Sequence, residues 1–440
     1  MDTRLPYELW DKIFSFVDDK GDLIELCRTS SAIRSVAIRH LYRAIHLRHL
    51  PPLLKLHRSL SRCPTLAQFV LILELDLAEY PFYHRLPAIL HDRHRMKVRR
   101  TANFGYAPAW LRLVARLLSV LPNLKTFTFD CNVKSREMAK CVSTEFERLP
   151  MRLHRLSVRG APLFGMVRSQ LLLEDLTFNT KDVLVWEPGG LRGLPKTALP
   201  RLRRLICDTP DGASLAEGRP LQEFMYRQRD REVDWAEVTM ESLRDVLAPL
   251  QRSTRTLRVL DLSVSSPGAG VFGCISAALP DLLALSLDIP SGIGSLELLP
   301  SWENVDIIRG FQGFRRLERL ELHSCSFRDP DDSIGTVHIS TALQFLTPAC
   351  PSLRRVTIEI VFLGSSNDLV IYSFTKHNHA TRSDDRPNMK WEYTRQLHAE
   401  ARRVGPSTIP ELFGITKAGK LASDDDYPMW DELDADCRLM

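Results

Sequence analysis

The sequence lacks paired cysteines. Its nine cysteines, Cys27, Cys63, Cys131, Cys141, Cys207, Cys274, Cys325, Cys350 and Cys437, are scattered, and none stands in a C-x-x-C pair. That excludes the disulfide framework of a small secreted domain and the usual structural zinc arrangement, and leaves the thiols as small apolar fillers in a reducing compartment. His91 with His94, and His377 with His379, have no cysteine or acidic ligand at suitable spacing, so no metal is expected. Long apolar runs are missing too: Phe69 to Leu73 is only five residues, far short of the roughly 18 that a membrane helix needs. Asp2, Arg4, Glu8, Asp11 and Lys12 leave no signal-peptide pattern at the start. A soluble intracellular chain, cytoplasmic and/or nuclear and not held in a membrane, is the expectation.

Catalytic motifs are equally scarce. There is no Ser/His/Asp set, no motif of paired carboxylates and no G-x-x-x-x-G-K-[ST] loop. Gly268, Gly270 and Gly273 spell G-x-G-x-x-G after an expected strand, with Asp288 beyond. A dinucleotide site would use such glycines to bring backbone N–H groups against a pyrophosphate. Here the preceding strand is one of a recurrent series, so the glycines are read as the loop into an outer helix. No enzyme activity and no cofactor are expected.

What is present begins with three short helices. Leu5-Pro6-Tyr7-Glu8-Leu9 opens the first, in which Leu9, Ile13 and Phe16 recur at helical spacing. Asp22 with Glu25 is expected to cap the second, and Ile33, Val36 and Leu41-Tyr42 mark the third. Three amphipathic helices in about 40 residues cannot bury a good core alone and need a neighbour.

That neighbour is a repeat. An apolar-x-x-apolar-x-apolar hexad recurs at Leu66/Phe69/Leu71, Leu124/Phe127/Phe129, Leu153/Leu156/Val158, Leu173/Leu176/Phe178, Leu202/Leu205/Cys207, Leu221/Phe224/Tyr226, Leu257/Leu260/Leu262, Leu282/Leu285/Leu287, Leu317/Leu320/Leu322 and Leu353/Val356/Ile358. Several copies follow an apolar stretch ended by proline, as at Pro64, Pro122, Pro280 and Pro351. Helix, break and strand, repeated, is the unit of a solenoid. Leu41 to Leu47 is read as the first strand.

Residues 4 to 44 resemble the F-box, carried by Leu5, Pro6, Glu8, Leu9, Ile13, Phe14, Leu23, Leu26, Cys27 and Val36, with Ile33 near the place of a tryptophan common in that family. The hexads resemble leucine-rich repeats of irregular spacing. The resemblance implies an α/β fold: an F-box-like helical module over residues 1–47, a leucine-rich-repeat-like solenoid over 48–365 with parallel strands on its concave side, and a C-terminal cap with an acidic tail over 366–440. It also implies a noncatalytic substrate receptor of a ubiquitin ligase. Those ten residues would hold a Skp-family adaptor and, through it, a cullin, and the solenoid would bind a protein substrate. The alternative is a leucine-rich-repeat interaction scaffold that joins no ligase.

Charge is uneven. The chain carries a formal +5, residues 91–229 hold 25 Lys/Arg against 13 Asp/Glu, and the last 20 residues hold seven acids against Arg438. The run His91 to Arg100 is read as a solvated insertion, with a nuclear localisation signal as the alternative. No recognised module accompanies the charge, so nucleic acid is not expected as a partner. Arg155, Arg159 and Arg204 fall between hexad positions. They are expected to form a basic patch on the concave side that grips an acidic or phosphorylated segment.

Overall fold

An apolar residue at every second position buries one face of a strand and leaves the other for polar groups. The computed structural model describes residues 5–77, 110–131, 144–147, 149, 151–160, 164–179, 194–226, 240–264, 269–288, 305–327, 343–362, 369–379 and 388–398. It is an α/β fold of helices and mostly parallel strands. The chain divides into two compact units, within Met1–Gly190 and within Leu191–Ile409.

In the first unit three helices precede any strand: α1 (Tyr7–Phe14), α2 (Lys20–Thr29) and α3 (Ser31–Arg43). Pro6 stands just before α1 and its carbonyl accepts from Trp10 N. The cap of α2 is Asp19, whose carboxylate accepts from Gly21 N at 2.7 Å, and not the expected Asp22–Glu25 pair. Asp22 lies inside the first turn, where an acid favours the helix dipole. Ser30 caps α3 by accepting from Ile33 N. Phe16 lies beyond the end of α1.

β1 (Ala44–Leu47) follows α3 without a linker, so Leu41, Tyr42 and Arg43 are helical rather than part of the expected first strand. Next come α4 (Leu50–Arg62), α5 (Pro64–Ala67) and β2 (Ile72–Asp76). Helix α6 (110–119), β3 (Thr126–Asp130), α7 (144–147), β4 (Arg155–Arg159), α8 (Phe164–Arg168) and β5 (Asp175–Asn179) complete the unit. β1 to β5 pair in chain order, all parallel. The first hexad is out of register: Leu66 belongs to α5, Phe69 and Leu71 are half-buried, and the strand's buried residues are Leu73 and Leu75. Val70/Leu73/Leu75 is the true copy, all at most 1% exposed.

The second unit runs β6 (Arg204–Cys207), a 3-10 segment (Pro210–Ala216), β7 (Glu223–Tyr226), α9 (Met240–Gln251), β8 (Val259–Ser263), α10 (Ala269–Ala278) and β9 (Ala284–Asp288). Then come α11 (Val305–Gln312), β10 (Arg319–Phe327), α12 (343–349) and β11 (Arg355–Phe362). β6 to β11 pair parallel in order. Leu260, Leu285 and Leu320 are in register and fully buried, as expected of stacked hexads. The last strands, β12 (Leu369–His379) and β13 (Asn388–His398), turn antiparallel.

In the G-x-G-x-x-G segment the second and third glycines are helical rather than part of the expected loop, and Gly268 lies outside the described residues. Gly270 and Gly273 lie inside α10. A Cβ on Gly310 of α11 would stand 2.8 Å from Gly273 N and from Phe272 Cβ, so Gly310 lets the two helices approach closely, whereas a Cβ on Gly273 would meet nothing within 4 Å. Phe272 and Phe311, with centroids 4.5 Å apart, fill the contact beside them.

Candidate functional site

The ten residues carrying the F-box resemblance separate into two groups. Phe14, Leu23, Cys27 and Val36 are at most 4% exposed and form the core of the three-helix unit. Leu26 is half-buried, and Leu5, Pro6, Glu8, Leu9 and Ile13 are exposed. Leu9 and Ile13 are one helical turn apart, so they share a side of α1. Tyr7 and Phe16 add to the exposed apolar surface, Phe16 at 72%. Tyr7 was not singled out in the sequence, because apolar spacing alone does not say which positions stay outside.

α1 is held on α3 from its other side. The Phe14 ring meets His40 edge-on, and the His40 ring nitrogen Nε2 lies 2.9 Å from Asp11 Oδ1. Arg39 donates to the Tyr7 hydroxyl and also lies over the Phe69 ring at 5.4 Å, so one guanidinium ties the helices to the turn before β2. Arg34 Nε donates to the Cys27 carbonyl at 2.8 Å. Burial, opposed by the nearby Arg34, pushes the Cys27 thiol up to about 11, as suits a packing residue rather than a nucleophile.

The residues between hexad positions share the other sheet face in each unit. In the first unit Thr126, Arg155 and Asp175 form one register row, and Asp130, Arg159 and Asn179 another. Arg155 Nε stands 3.0 Å from Asp175, and Arg159 Nη1 stands 2.8 Å from Asp130. Arg204 belongs to the second unit and pairs with Glu223 at 3.3 Å. Each of the three guanidiniums thus faces a carboxylate on the neighbouring strand.

The second unit gathers a denser set. Asp261, Ser286, Glu321 and Thr357 lie in one register row, and Ser263, Asp288 and His323 in the next. Asp261 stands between two buried hexad positions on the polar face, yet it is 3% exposed and accepts from the Ser286 hydroxyl at 3.1 Å. His323 Nδ1 donates to Glu359 at 2.9 Å, while its Nε2 is 3.7 Å from Glu321, an ion pair too long for a hydrogen bond. Burial alone would lower the His323 pKa. The carboxylates of Glu321, Glu359 and Asp261 outweigh it and push it up to about 10. Burial would raise Glu321, but His323 and the Arg319 and Arg355 guanidiniums hold it below the usual carboxylate range. Among the described residues no group of three or more His, Cys, Asp or Glu could hold a metal ion.

A raised folded pKa has a definite sign. His323 contributes stability in full below its ordinary value of 6.5, and that contribution is lost as pH rises through about 10. The melting temperature is therefore expected to fall between pH 7 and 10. His323→Gln should melt lower at pH 7 and lose that part of the slope. Parallel melting curves for parent and variant across this range would contradict the pairing.

Among the described residues no helix is long and apolar enough to cross a membrane. The run His91 to Arg100 and the acidic tail lie outside the described residues. No protein-family model matches the chain, and no curated protein matches it in sequence.

Proposed function

We propose that this chain is a noncatalytic substrate receptor of a ubiquitin ligase. The three N-terminal helices, read as an F-box, dock a Skp-family adaptor and through it a cullin. The repeated helix–strand region, read as an irregular leucine-rich-repeat solenoid, holds the protein to be ubiquitinated. Function then follows from proximity: the receptor raises the effective concentration of a substrate lysine near activated ubiquitin and supplies no catalytic group.

One observation carries this reading. Leu5, Tyr7, Leu9, Ile13 and Phe16, five large apolar residues within twelve positions, are all more than 40% exposed on a unit that has its own buried core. A cluster of this kind on a soluble chain marks a surface to be covered by a partner. The F-box resemblance names the partner.

The test is recovery of partners on the full-length tagged chain from cells in which cullin and proteasome activity are blocked. Skp-family adaptor and cullin are expected together. A folded chain that recovers neither would leave the interaction scaffold as the better description.

A further inference from the structure

Arg155, Arg159 and Arg204 each face a carboxylate on the next strand. At the starts of β10 and β11 the pairing differs. Arg319 and Arg355 are in register on neighbouring strands, whose backbones lie about 4.8 Å apart, so two like charges stand side by side. Like charges set directly opposite one another cost stability unless an anion offsets them. Glu321, two residues along β10 on the same face, is shared with His323 at 3.7 Å and does not neutralise both guanidiniums. More cations adjoin the pair. Arg315 and Arg316 stand in the turn before β10, and Arg354 immediately precedes β11, its carbonyl accepting from Lys376 N at 2.9 Å. Residues 315–319, 351–355 and 375–376 thus hold five arginines and Lys376 against one acid, Glu318. All five arginines are exposed, and none makes an ion pair or a side-chain hydrogen bond among the described residues.

We propose that this edge of the second unit binds a carboxylate-rich segment of the captured protein. The inference rests on the receptor reading above and gives its substrate class. Arg319 and Arg355 grip one carboxylate from two adjacent strands, and Arg316, Arg354 and Lys376 take the acids beside it. The backbone ladder holds the pair before anything binds: Arg319 N donates to the Leu283 carbonyl and Arg355 N to that of Glu318, both at 3.0 Å. Glu321 favours carboxylates over phosphate, because its charge repels a dianion about twice as strongly as a monoanion. The twelve residues include no aromatic side chain, so they offer no stacking platform for nucleic-acid bases.

The experiment uses the full chain with fluorescein-labelled ligands read by anisotropy: a glutamate peptide, a phosphoserine peptide of equal length and a single-stranded RNA. The glutamate peptide is expected to bind saturably and more weakly as salt rises. Arg319→Gln with Arg355→Gln should keep the parent melting temperature and weaken that binding about tenfold or more. Arg316→Gln with Arg354→Gln should weaken it as well and serves if the first variant folds poorly. Arg155→Gln with Arg159→Gln should leave it unchanged. Equal binding by the parent and both edge variants would overturn the site. Binding of the phosphoserine peptide or the RNA without the glutamate peptide would overturn the ligand class. Glutamate-peptide binding that emerges only when the seven acids of the last 20 residues are changed to amides would make the chain's own tail the occupant and overturn the proposal. Adaptor capture is measured on the same samples, so failure of the receptor reading is seen separately from failure of this edge.

Discussion

A chain carrying Leu9→Glu and Ile13→Glu is expected to lose capture of the Skp-family adaptor while melting at the parent temperature. Both side chains are more than 40% exposed, so the folded unit loses little when they become charged. At an interface the same positions become buried anchors, and removing one anchor costs about 2 kcal/mol or more. Two together should weaken binding by roughly a thousandfold, which copurification reads as loss. Phe14→Glu is the contrasting variant: at 2% exposure it buries a charge and should unfold the three helices. Retained adaptor in a well-folded Leu9/Ile13 variant would remove the docking assignment.

The second large effect concerns Arg219, which is 2% exposed in the second unit. Its guanidinium donates to the carbonyls of Ala198 at 2.7 Å, Leu215 at 2.8 Å and Pro195 at 2.9 Å. These carbonyls belong to the irregular crossing before β6 and to the 3-10 segment, whose backbone groups no regular ladder satisfies. The crossing holds Leu199 at φ 58°, a left-handed conformation costly for a side chain of that size, in a fully buried position. Burial lowers the Arg219 pKa and Glu217 opposes it, yet an arginine stays charged. Arg219→Ala leaves a cavity and several unmet carbonyls and should cost about 3–5 kcal/mol in chemical denaturation. Arg219→Lys keeps the charge without the fork and should recover only part. Losses within about 1 kcal/mol for both would show that water replaces the guanidinium freely.

Nine of the ten hexads were legible because a strand with one buried face must place apolar residues two apart. Leu260, Leu285 and Leu320 stack as that period requires. The tenth was not, because residues 66 to 75 contain two overlapping hexads and local spacing favours neither. Parallel pairing with β1 decides, setting Ile45 beside Leu73 and leaving Leu66 to a helix. In the candidate docking unit the sequence located the apolar residues but not their sides. Only packing of α1 on α3 turns Phe14 inward and leaves Leu9 and Ile13 out.

By itself, then, the sequence determined the alternation of helices and one-faced strands, the scatter of the cysteines and the apolar start of the chain, all of which follow from spacing and composition. Tertiary structure decided which charges meet. Arg155 and Arg159 read as free cations along the chain, but parallel register sets a carboxylate beside each. Asp261, Asp288, Glu321, His323 and Glu359 are spread over 99 residues of sequence, with no motif to link them. They become neighbours because strands of a parallel sheet lie about 4.8 Å apart however long the connection between them.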